Sequence, residues 1–125
     1  MTKLIDHLNE LKATADDRAK AKAEQERRDR EEAERSEIRL GKEEAERVIP
    51  SFEQRILTRA EDNETALEVP VQSSSQTKAL TLWEAAYTTT ITQYFEDQGL
   101  RVEQVQTASR VAGPKRYNTI LRITW

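Results

Sequence analysis

His7 is the only histidine of the chain, and cysteine is absent. Most nucleophile–base pairings need an imidazole or a thiol oriented by a third group. His7 has no such companion. It falls on the polar side of a stripe formed by Leu4, Leu8 and Leu11, where an imidazole is ordinarily a solvated surface group. The same counts exclude zinc sites of the usual Cys/His type and any disulfide framework. Two adjacent carboxylate pairs, Asp16-Asp17 and Glu61-Asp62, sit in a predicted helix or at its end. Neighbouring helical side chains diverge by about 100°, so neither pair converges on a substrate. The three glycines are isolated, which leaves no phosphate-cradling loop. No catalytic, cofactor-binding or metal-ligating residue is assigned, and the chain reads as non-enzymatic.

One cluster keeps some chemical character. Arg110, Lys115 and Arg116 flank a predicted C-terminal hairpin turn, and Tyr117 follows directly. A basic tip beside an aromatic ring can contact a phosphate backbone or stack a base. The structural alternative is a solvated hairpin with Tyr117 turned to the core. A third reading is electrostatic. Residues 99–125 carry net +4 and residues 50–98 net −5, so the hairpin could meet the acidic stretch of a neighbouring subunit.

These residues are carried by a chain of two characters. Asp16 to Arg47 is almost wholly Ala, Glu, Arg, Lys, Asp and Gln, with Ile38 its only β-branched residue and Gly41 its only glycine. Such residues lose little rotamer freedom in a helix. The stretch predicts one long solvated helix, supported by acid-first pairs Glu24–Arg28, Glu26–Arg30 and Glu31–Arg35. Acids match bases throughout, so it is not a basic nucleic-acid arm. Ahead of it, Thr2 offers a cap. Leu4, Leu8, Leu11 and Ala15 recur at 4-3-4 spacing beside Ile5, a short coiled-coil seam suited to oligomerisation or docking. The alternative is a helix laid on the chain's own C-terminal domain.

Apolar residues return at Ile38, Leu40, Ala45, Val48 and Ile49, and Pro50 then predicts a kink or break. A second, short helix follows, with Phe52, Ile56 and Ala60 on one face and Asp62-Asn63 as its stop. The domain reading is therefore 1–49, a charged helical arm, and 50–125, a short helix plus a small α/β domain. Ile38, Val48, Ile49, Phe52 and Ile56 join the leucine stripe as candidate docking contacts.

The rest predicts β-α-β-β. Residues 64–71 alternate, with Leu67, Val69 and Val71 on one face and Pro70 marking an edge or strand end. Residues 72–78 form a polar loop. Thr81 and Glu84 have capping-box spacing, and Gly99 supplies a stop. Between them Trp83, Tyr87, Ile91 (or Thr90), Tyr94 and Phe95 mark a buried helical face, despite the β-branched run at 88–92. Residues 100–108 predict a strand whose alternation slips at Gln104-Val105, suggesting a bulge or a strand end. Ala112 to Lys115 is the turn, and residues 116–125 form the clearest strand. The class is α+β: a long charged helix, then a three-stranded sheet with one covering helix. The two strands joined by a helix are candidates for parallel orientation, and strand order stays open.

With 34% charged residues against an ordinary quarter, roughly 70 residues remain for a core. Self-association would help so small a domain. No apolar run approaches a membrane span, and no signal-peptide h-region is present, so a soluble protein made in the cytoplasm, neither secreted nor membrane-spanning, is expected.

The sequence RYNTILRITW (116–125), preceded by an aromatic helix, a glycine and a strand, and far upstream by a charged helical arm, resembles small uncharacterised proteins of tailed bacteriophages and prophages. The resemblance implies a virion or host-interaction role. It supplies no catalytic residue and no cofactor. The expected function is a structural or assembly protein, a homo-oligomer or part of a larger protein assembly. A nucleic-acid-binding module and a phage-encoded inhibitor of a host protein are the alternatives.

Overall fold

A computed structural model describes residues 3–110 and 113–125. The cap expected at Thr2 and the Ala112 position of the turn lie outside them. The elements are α1 (Leu4–Glu61), β1 (Ala66–Ser75), α2 (Leu82–Asp97), β2 (Arg101–Ser109) and β3 (Arg116–Thr124). The class is α+β, as the sequence predicts. The chain divides into two compact units, Met1–Arg35 and Ser36–Trp125, so the boundary expected at Pro50 falls inside the second.

No second helix starts at Pro50. α1 runs through it without interruption. Proline inside a helix forfeits one backbone hydrogen bond and crowds the preceding turn, at about 3 kcal/mol. Packing outweighs that penalty. Gly41, Ala45, Ile49 and Phe52 are buried on one face, on both sides of the proline, while Pro50 itself is exposed. Water can therefore hydrate the carbonyl left without a donor. α1 stops where expected. Asn63 takes a left-handed φ of 62°, and the Glu64 amide donates to the Arg59 carbonyl at 2.9 Å.

The sheet order is β1-β3-β2, with both neighbours antiparallel to β3. β1 and β2 thus run parallel to each other on the two edges, never paired. β3 is central, and its Thr119, Leu121 and Ile123 are buried. Leu67 and Val69 face them from β1, and Val102 pairs with Ile123 from β2.

The irregularity expected at Gln104-Val105 lies elsewhere. β2 keeps one register from Arg101↔Thr124 to Ser109↔Arg116. The register shifts instead on β1, between Pro70 and Gln72 and again between Gln72 and Ser75. Proline has no amide hydrogen for the ladder, so the edge strand gives way next to it.

α2 covers the inner face. Its capping box is complete: the Glu84 amide donates to Thr81 Oγ1 at 3.1 Å, and the Thr81 amide to Glu84 Oε1 at 2.9 Å. At its end Gly99 has φ 89°. The Gly99 amide donates to the Glu96 carbonyl and the Leu100 amide to the Phe95 carbonyl, the Schellman pattern. Tyr87, Ile91 and Phe95 enter the core with Ala45, Ile49 and Phe52 of α1 and Leu67, Val69, Leu121 and Ile123 of the sheet. The sheet therefore has two helical contributors to its core, where the sequence suggests one.

Candidate interaction surfaces

The first unit presents the leucine stripe. Leu4, Ile5, Leu8 and Leu11 are 73%, 57%, 50% and 54% exposed. Because they sit three or four residues apart on α1 they form one ridge, and no residue from 3 to 23 is even half-buried. His7 on the same stretch is solvated. Beyond the stripe, exposed ion pairs take over. Arg27 bridges Glu24 and Glu31, each at 2.6 Å, and Arg28 joins Glu24 at 3.1 Å. Of the predicted pairs Glu24–Arg28 forms, whereas Glu31 takes Arg27 in place of Arg35. The hydrogen bond from Arg27 is the main cause that holds the Glu24 carboxyl below its usual value.

The second unit corrects most of the docking set. Ile49 and Phe52 are core residues, and Val48 and Ile56 pack against that core. They hold the unit together and are not free for a partner. Ile38 alone stays exposed. It lines a groove between α1 and α2 of about 410 Å³ with Leu82, Ala85, Ala86 and Thr89. A neighbouring hollow of about 410 Å³ shares Lys42, Thr89 and Thr90 with it and adds Glu46, Gln93 and Asp97.

The two helices approach closely because of Gly41. A Cβ there would lie 2.2 Å from the Trp83 carbonyl oxygen. The Trp83 amide, in the first turn of α2, points at Glu37 Oε1 at 3.4 Å, where a carboxylate complements the helix N-terminus. The Trp83 ring stacks on Tyr87, with centroids 5.1 Å apart. Tyr94 donates its hydroxyl to Glu53 Oε1 at 2.7 Å, and that bond is the main reason its pKa rises. Sequence patterns find the aromatics but not Gly41. The available signal is a lone glycine inside a run of strong helix formers, which costs about 1 kcal/mol and so needs a packing reason.

The residues of the basic hairpin sit at the end of the β2–β3 pair, where Ser109 is opposite Arg116. By strand alternation Tyr117 faces inward and Arg116 outward. Lys115 Nζ lies 5.8 Å from the Tyr117 ring centroid. Lys78 Nζ is 5.6 Å from the same centroid, a second cation from the polar loop that sequence spacing could not bring there. Arg110 is exposed just past β2.

At this end of the sheet the inner face turns polar. Gln106 Nε2 donates to the Lys78 carbonyl and to Thr119 Oγ1, and Gln72 Nε2 to the Ala79 carbonyl at 3.1 Å. Gln72 Oε1 and Thr88 Oγ1 are buried without a partner.

Among the described residues no group of three or more His, Cys, Asp or Glu is placed to hold a metal ion, and no helix is long and apolar enough to cross a membrane. Comparison with protein-family models, curated proteins and solved structures finds no match to this chain.

Proposed function

We propose that the protein is a non-enzymatic structural or assembly component whose N-terminal leucine stripe docks on other copies of the chain. The exposed ridge of Leu4, Ile5, Leu8 and Leu11 carries this reading. It keeps the 4-3-4 spacing of a coiled-coil seam on a stretch that buries nothing of its own. Burying a leucine is worth about 1.5–3 kcal/mol, so the ridge supplies an apolar driving force for association. The resemblance to small proteins of tailed bacteriophages supports a virion role, in the particle or in the host cytoplasm where particles assemble. Sedimentation velocity on the full chain tests the docking. The expected result is an oligomer whose mass falls when Leu8 and Leu11 are both changed to serine. An unchanged mass in that variant would refute it.

A second reading rests on Tyr117, flanked by Lys78 and Lys115. An aromatic ring with two cations beside it suits single-stranded nucleic acid. Binding to a fluorescent oligonucleotide should then weaken steeply with salt, and should weaken again in Lys78→Ala and Lys115→Ala. No binding at low salt would remove this reading.

A further inference from the structure

The two edges of the sheet are built differently. β1 carries Pro70, two register shifts and Ser74 in a left-handed conformation with φ 52°. Such features stop an edge from accepting another strand. β2 has none of them. It is nine residues long, keeps one register throughout, and contains no proline, glycine or lysine. Its charges, Arg101 and Glu103, are close to its start and lie 3.9 Å apart. Among the described residues no hydrogen bond from another element reaches its outer backbone groups.

The outward face of the sheet supplies the second observation. Its rows are mostly polar, such as Glu68–Arg122–Glu103. One row is apolar: Pro70, Ile120 and Val105 lie opposite one another across the three strands. That row ends at Val105, the central residue of β2, half-buried at the open edge.

We propose that β2 pairs antiparallel with β2 of a second copy about a two-fold axis at Val105, giving a continuous six-stranded sheet. This register uses all nine residues of both strands. Val105 meets its own counterpart, and the apolar row continues unbroken into the partner sheet. Gln104 opposes Gln106, Glu103 opposes Thr107 and Arg101 opposes Ser109, so no like charges face each other. The two-fold keeps each side chain on the same face in both sheets, as an isologous contact requires. The contact is independent of the leucine stripe.

The absence of cysteine permits a clean test. Val105→Cys, Glu103→Cys and Thr107→Cys are compared in the full chain carrying Leu8→Ser and Leu11→Ser, which removes the stripe from the result. In Val105→Cys the two introduced thiols face each other across the axis, on Cα atoms about 4.5–5.5 Å apart, within disulfide reach. Residues 103 and 107 each sit roughly 13 Å from their own counterparts, beyond it. Mild oxidation should therefore link Val105→Cys at least tenfold faster than the other two. Val105→Lys, which sets like charges across the axis, should weaken dimerisation in sedimentation at least tenfold while leaving the circular dichroism spectrum unchanged. Equal linking at all three positions, or Val105→Cys that stays monomeric at 100 μM (roughly the weak end of protein association), would overturn the pairing, whether or not the stripe associates.

Discussion

Between Leu4 and Arg35, α1 buries no side chain; between Gly41 and Phe52 it buries four residues. One helix thus holds two kinds of stability. The first stretch depends on propensity and on ion pairs such as Glu24–Arg27–Glu31, each of them individually weak. The second stretch contains poorer helix formers, a glycine and a proline, and is held by what its inner face covers. Helical order in the second stretch follows from tertiary packing, and in the first from local chemistry.

The largest expected effect breaks the second stretch alone. Phe52→Ala empties part of the core, and loss of a buried aromatic costs about 3–5 kcal/mol. Leu8→Ala removes a half-exposed side chain and should leave the global unfolding midpoint of a dilute sample unchanged. Urea titrations of the two variants check this. Similar losses in both would erase the distinction.

Gly41→Ala comes next. In an isolated helix the change would stabilise by about 1 kcal/mol. Here the new Cβ would sit 2.2 Å from the backbone oxygen of Trp83, and a backbone atom cannot rotate away. Overpacking of this kind costs about 1–3 kcal/mol, so the net effect should be destabilising, with the near-ultraviolet signal of the Trp83–Tyr87 stack altered. Ala23→Gly in the first stretch reverses the logic. It should lower helicity locally and leave global stability alone.

Pro50→Ala restores a backbone donor where the surrounding face is already fixed. It should stabilise by about 1–3 kcal/mol, less than the full helical penalty of proline to the extent that the local turn has adapted. A neutral or destabilising outcome in thermal or urea unfolding would mean that the proline shapes the packing of Ile49 and Phe52.

Legibility in the sequence follows the same division. Where local chemistry decides, the reading holds. Thr81, Glu84 and Gly99 bound α2 as predicted, Asn63 ends α1, and the alternation from Arg116 to Thr124 marks a strand. Where packing decides, local rules mislead. Pro50 signals a kink or break, and buried Ile49 and Phe52 keep the helix continuous through it. Val48 and Ile56 look like docking contacts because the core they pack against is assembled from α2 and the sheet, distant segments that leave no trace in local spacing. Gln104-Val105 looks irregular because Val105 faces outward beside Ile120, while Gln104 takes an inward position opposite Leu121. Of the candidate surfaces, the leucine stripe is legible as a pattern. The β2 edge is not, since edge status depends on a strand order that no local motif records.

The smallest effect concerns acid. Glu24 is partly exposed, and its carboxyl is held below the ordinary value of 4.5 chiefly by the Arg27 hydrogen bond. Its contribution is therefore complete above the unfolded value and is lost as pH falls through the folded one. Glu44, lowered in the same way by Arg47, belongs to the second stretch, where Ala45 and Ile49 keep the backbone helical whatever the charge. Lowering the pH below 4.5 should thus shift helical Cα resonances toward coil over residues 24–31 and leave those over 45–52 in place. Arg27→Ala should remove most of the acid response of the first stretch and reproduce part of it at neutral pH. High salt should act in the same direction, because exposed pairs are screened. If both stretches lost helix together under acid, the pairs of the first stretch would be acting on the whole fold, and the division between local and tertiary stabilisation would fail.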